Sequence, residues 1–227
     1  MHTPDFAMLG PPMFEAQDLR FLFERFPVPG VNMEEAVQLA LERPTTLESL
    51  LDSDYVAEAI DDRQTQWLEV SPKLFFNVLL RRSLPGPRNL QTRRTIHYLA
   101  NLLGLFVSSD RLYRVQNDEE QSFQYLVDLV QEAAQSGPER CFVVQSHIGN
   151  YSLFLAGLCK PWIDYRHQYK RRPVSLEYYC RMGSGHFFTA SRHRLAEQTG
   201  VKPVFQDLAM RFDYYRGGLE RMSARWH

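Results

Sequence analysis

Residues 138–159 read PERCFVVQSHIGNYSLFLAGLC. In this stretch Val144, Ile148, Tyr151, Leu155 and Leu158 advance by four, three, four and three positions, which is the spacing of one buried helix face. Gly137 and Pro138 give the pattern its start, since proline is tolerated at a first helical position and glycine ends the segment before it. The spacing predicts a central helix, around which the others gather. Its least polar part, residues 151–159, is about half the length that a bilayer span requires and is closed by Lys160 and Pro161. A soluble protein without membrane contact is therefore expected.

Toward the N-terminus the apolar spacing stays helical. Leu19, Leu22, Phe23 and Phe26 line one face, and Asn32 with Glu35, then Thr45 with Glu48, have the spacing of cap and third residue. A further short helix carries Val56, Ala59 and Ile60. Ser71-Pro72 opens a helix that stops before Pro85-Gly86-Pro87, the clearest interior break. A longer helix is predicted over 89–107, and Asp118 with Gln121 look like the cap of the next one.

Toward the C-terminus, an aromatic and basic segment follows Pro161. Gly183-Ser184-Gly185 reads as a break before a helix over 186–198 that Gly200 ends, and a last helix runs from about Val204. Gly217-Gly218 inside it fits close packing. No strand pattern with turn signals at both ends occurs, and no repeat of 20 to 50 residues. The expected fold is all-α: a compact multi-helix bundle of about nine or ten helices without significant β-sheet. It is a single domain over 1–227, with 1–63 as a candidate acidic lobe and 88–227 as the main bundle.

Composition agrees. With 227 residues, 44% of them hydrophobic, the chain can bury a core without disulfides or structural metal. The net charge of −1 conceals a segregation. Residues 1–63 hold 4 basic and 13 acidic side chains, 64–117 hold 8 and 2, 118–135 hold 0 and 5, and 136–227 hold 14 and 7. Three cysteines with no C-x-x-C pair fit neither a zinc module nor a secreted disulfide frame, and the N-terminus reads without a signal peptide, so a cytoplasmic protein with reduced thiols is expected.

Residues 160–194 are the most distinctive functional candidate. Eight Lys or Arg stand against Asp164 and Glu177, interleaved with Trp162, Tyr165, Tyr169, Tyr178, Tyr179, Phe187 and Phe188. Cations recruit anions and planar rings stack, the mixture that a phosphate-bearing ligand needs. The candidate ligand-binding residues are Arg166, Tyr169, Lys170, Arg171, Arg172, Ser184, His186, Arg192 and His193, with Ser184 in a glycine-flanked helix start that would cradle an anion. Nucleic acid ranks below a small anion because the overall pI is about 6.7. The plain alternative is a solvated face that pairs with acidic residues 1–63, in the same chain or in a second copy as a homo-oligomer.

A second candidate pocket gathers His97, Asn101, His147 and Tyr151 inside the bundle, where polar groups are costly unless satisfied. It would suit an enzyme or a ligand sensor, although no catalytic motif such as G-x-S-x-G is present and the acidic residues Asp52, Asp54, Asp61 and Asp62 read as surface. No metal site is expected, since H-E-x-x-H and E-x-x-H are absent and His186 and His193, seven apart on one helix face, would lie about 10 Å from each other. No cofactor is assigned. The leading expectation is a binding or regulatory protein for an anionic ligand, leaning away from an enzyme.

Overall fold

The computed structural model describes residues 14–24, 32–61, 70–116, 119–169 and 174–225. Of these residues 80% are helical, and among them there is no strand. The helices are α1 (Ala16–Glu24), α2 (Met33–Glu42), α3 (Pro44–Leu51), α4 (Asp54–Asp61), α5 (Pro72–Ser83), α6 (Leu90–Phe106) and α7 (Ser109–Tyr113), followed by α8 (Leu126–Gln135), α9 (Pro138–Leu158), α10 (Lys160–Tyr169), α11 (Leu176–Ser191), α12 (Arg194–Gln198), α13 (Lys202–Met210) and α14 (Phe212–Ala224). That is fourteen among the described residues, rather than nine or ten. The excess comes from single-turn pieces such as α7 and α12, and from the split of the last predicted helix at Arg211, whose φ of −118° and ψ of 33° lie outside the helical well.

The predicted central helix is α9, whose neighbours are α8, α10, α11 and α14. Val144, Ile148, Tyr151 and Leu155 of its stripe are all buried, with Leu158 at the margin. A second group joins α5 to α6 and α14, and α6 to α13, so the two groups share α14 and α13. The N-terminal helices lean on α5 through α3 and α4. Leu19, Leu47, Leu51 and Val56 belong to the same apolar cluster as α9. Among the described residues no helix is long and apolar enough to cross a membrane.

Local chemistry explains the starts and stops. Ser71 caps α5 by accepting the Leu74 N–H at 3.2 Å, and it is itself held by the fully buried Asp18, whose carboxylate accepts the Ser71 N–H at 2.7 Å and hydroxyl at 2.6 Å. One carboxylate thereby fixes α1 against the start of α5. Asn89 caps α6 through the Thr92 N–H at 2.8 Å, and between the two helices Gly86 adopts a φ of 90°, which L side chains rarely reach.

Four expected boundaries are corrected. Residues 183–185 do not break the chain but lie inside α11. A Cβ at Gly183 would overlap the Phe212 ring, so this glycine is selected by helix contact and not by a turn. Gly218 meets Leu84 in the same way, as close packing requires. The helix expected over 186–198 divides, because α11 ends at Ser191 and α12 restarts at Arg194. Asp118 falls outside the described residues, and Gln121 is not helical. Instead the Phe123 N–H donates to the Tyr113 carbonyl at 2.7 Å, its buried ring anchors the strap, and α8 begins after Tyr125. Thr45 likewise makes no cap. Arg43 precedes α3 without a side-chain bond, and Glu48 turns inward.

Candidate functional site

Where α9, α10 and α11 meet the start of α8, a cavity of about 230 Å³ is lined by Tyr151, Trp162, Arg166, Tyr178 and Tyr179, with Tyr125 at its edge. Tyr151 comes from the buried stripe of α9. Trp162 and Arg166 are one turn apart on α10, and the adjacent Tyr178 and Tyr179 lie in the first turn of α11, where Ser175 caps the helix by accepting the Tyr178 N–H. Tyr151 is 4% exposed and Tyr179 9%. Burial raises the pKa of both phenols, and for Tyr179 the nearby Arg166 charge opposes the shift without cancelling it. Both stay protonated at neutral pH and serve as O–H donors. Neither hydroxyl has a hydrogen-bond partner among the described residues.

The Arg166 guanidinium lies 4.3 Å from the centre of the Trp162 ring. It has no carboxylate partner among the described residues, and none of the residues lining the cavity is acidic. The cavity therefore offers one fixed positive charge, two neutral donors and aromatic walls, which is the equipment to hold an anion.

No protein family model, curated protein or solved structure matches the chain. Its function is legible only in the chemistry of its own side chains.

The residues expected from sequence land in several places. Arg166 and Tyr151, from the two separate candidate sets, share this cavity. Tyr169 is 72% exposed with its ring 5.2 Å from that of Tyr165, and Lys170, Arg171 and Arg172 lie outside the described residues. Ser184 sits in a second, wider hollow of about 450 Å³ beside Arg181 and Arg211, where Glu177 and Asp213 offset the positive charge. Its hydroxyl donates to the Arg181 carbonyl at 3.3 Å within α11, so the helix-start cradle expected there does not form. His186 and His193 do not share a helix. His186 bonds the Gln145 side chain, while His193 caps α12 by accepting the Leu195 N–H at 3.1 Å and stacks on Phe142 at 5.2 Å. The Arg192 guanidinium lies 5.8 Å from the centre of the Phe188 ring.

The inner candidate set divides as well. His97 joins a polar cluster under α3: its Nε2 lies 2.7 Å from Glu48 and its Nδ1 3.0 Å from Asn77. Arg81 donates to Asn77 at 2.7 Å, so the Asn77 amide nitrogen is left to face His97, whose Nε2 then carries the proton toward Glu48. Arg81, only 2% exposed, also pairs with Glu48 and Asp52 at 2.7 Å each, and Arg93 reaches Asp52 at 2.9 Å. Burial pushes the Glu48 carboxyl upward, but the His97 hydrogen bond and the Arg81 charge outweigh it and hold the group at about 2. Asp52, expected at the surface, is thus part of an ion network.

His147 lies elsewhere, against Phe106 and Tyr151 with ring centres 6.2 and 6.3 Å away. Burial, helped by the Arg111 charge, lowers it to about 4, and its buried Nε2 has no partner. Asn101 is buried on α6. The two histidines therefore have separate partners, one in an ion network and one in an apolar wall.

The sequence reading missed Tyr125 and the adjoining wall at 124–127, and named Trp162, Tyr178 and Tyr179 only as interleaved rings. The Tyr178-Tyr179 doublet was a usable signal: adjacent helix positions point about 100° apart, so two neighbouring tyrosines can face one concavity only at a helix junction. Nothing in residues 124–127 announces a contact with α10.

Proposed function

We propose that this chain is a binding or regulatory protein whose site for a small anion is the cavity of Tyr151, Arg166 and Tyr179. The observation that carries the reading is a pair of phenols, each at least nine-tenths buried, with no partner for their hydroxyls and with Arg166 as the one charge beside them. The two hydroxyl oxygens are not among the sealed unpaired atoms of the chain, so they are open to the cavity and a ligand that enters it can accept from both. An oxyanion does so, accepting from both phenols and from the guanidinium at once. A cation is disfavoured, since Arg166 already occupies the Trp162 ring and no carboxylate lines the space.

The test is a titration of isotope-labelled protein with inorganic phosphate, followed by the amide resonances of residues 151, 162–166 and 178–179. These are expected to shift together and saturably, and to stay still in Arg166→Gln. Shifts confined to the basic residues outside this cavity, or identical in the variant, would remove the reading.

A further inference from the structure

We infer that the ligand of this cavity is an aromatic ring that carries a carboxylate or a phosphate, an inference that rests on the anion site just proposed. The first ground is volume. An apolar cavity of about 150 Å³ accepts benzene, so the cavity of about 230 Å³ has room for a six-membered ring and one oxyanion group. The second is the shape of the walls. The rings of Tyr178 and Tyr179 stand at 80° with centres 6.0 Å apart, forming a corner in which a third ring meets one face and one edge, the arrangement that aromatic quadrupoles favour.

The third ground is the division of the lining into two halves. Arg166, Gln124 and the tyrosines bring polar groups to the lining, whereas Ile163, Val174 and Leu126 are purely apolar. A free inorganic anion would leave that apolar half against water. A neutral ring would leave Arg166 and two phenols without acceptors. A ring bearing an oxyanion satisfies both halves at once, in the manner of small-molecule sites with few, well-placed polar groups on apolar walls. An aromatic cage for a quaternary ammonium would need the same rings, but here the resident guanidinium, 4.3 Å from the Trp162 ring centre, holds the place of the guest cation.

Calorimetric titration of the intact protein with five probes separates the claims: benzoate, phenyl phosphate, acetate, inorganic phosphate and phenol. Benzoate or phenyl phosphate is expected to bind at least tenfold more tightly than its ring-free counterpart, acetate or inorganic phosphate. The better of the two identifies carboxylate or phosphate as the oxyanion. Arg166→Gln should weaken that binding at least tenfold. If acetate or inorganic phosphate binds as well as its arene, the ring class is overturned and the anion site stands. If phenol binds as well as benzoate, or if none of the anions binds, the anion site falls and the inference with it.

Discussion

Two polar regions of this molecule are built from similar side chains and finished in opposite ways. Around Arg81 the guanidinium meets Glu48, Asp52 and Asn77, and His97 closes the circuit between Glu48 and Asn77. Around Arg166, among the described residues, the guanidinium lies over the ring of Trp162 and meets no carboxylate, and two largely buried phenols beside it have no hydrogen-bond partner. The first region pairs its charges within the chain and reads as architecture, tying α3 to α5 and α6, although the Nε atoms of Arg88 and Arg93 at its margin have no hydrogen-bond partner. Under the proposed function the second is completed by an outside acceptor. Charge pairing, more than composition, is then what separates a structural cluster from a candidate binding site in a chain whose charges nearly cancel.

The largest effect should come from the saturated region. Arg81→Met leaves Glu48 and Asp52 with Arg88, Arg93 and the His97 N–H to compensate, and a broken buried pair costs about 3 kcal/mol even with such help. Urea unfolding at pH 7 should register that loss, while anion binding by the folded fraction stays as in the parent. A stable variant would mean that the network contributes little and that the contrast between the two regions is overstated.

The pH dependence comes next. His147 sits near 4 in the folded chain against an ordinary value near 6.5, so protons favour the unfolded chain between those limits. Stability is complete above about pH 6.5 and should fall, by up to about 3 kcal/mol, as pH drops toward 4. Glu48, held at about 2, adds a second loss as pH falls from about 4.5 toward 2. His147→Leu should flatten the first window and leave the second. Two superimposable unfolding profiles between pH 4 and 6.5 would show that His147 is not the group responsible.

How much of this was legible in the chain depended on whether the physics was local. The stripe of α9, the Ser71 and Asn89 caps and the break at Gly86 follow from nearest-neighbour rules, and each stands where the sequence puts it. Gly183 misled because a glycine chosen for contact with Phe212, about thirty residues on, has the same letter as one chosen for a turn. The acidic third was expected to pair with residues 160–194, whereas among the described residues Glu48, Asp52 and Asp54 pair with Arg81, Arg82, Arg88 and Arg93. Which of two basic segments an acidic one meets is decided by packing, and charge counts carry no record of it. The cavity itself joins Tyr151, Arg166 and Tyr179 with a wall at 124–127, a coincidence of four elements that no single window contains.

Within the cavity, Arg166→Gln should change stability by less than about 0.5 kcal/mol, as a side chain without an ion pair is expected to do, and should still cost at least tenfold in affinity for the arene anion. Thermal unfolding and calorimetry on the same sample give both numbers. A large loss of stability would reveal a structural duty for Arg166 and bring the two regions closer together.

The smallest effect is also the most discriminating. Tyr151→Phe removes a hydroxyl that has no partner among the described residues and is open to the cavity, and it leaves the ring in the α9 stripe. Stability should be unchanged to within a few tenths of a kcal/mol. Affinity should fall about fivefold, the share of one neutral hydrogen bond to an anion. Most substitutions that hurt binding by loosening a core hurt folding too, and a buried tyrosine is the usual place to see that. The separation expected here, unchanged folding with poorer binding, would mark the Tyr151 hydroxyl as held in reserve for a ligand. If Tyr151→Phe instead destabilises the chain, the hydroxyl has an internal acceptor, and the region around Arg166 is closed in the same way as the one around Arg81.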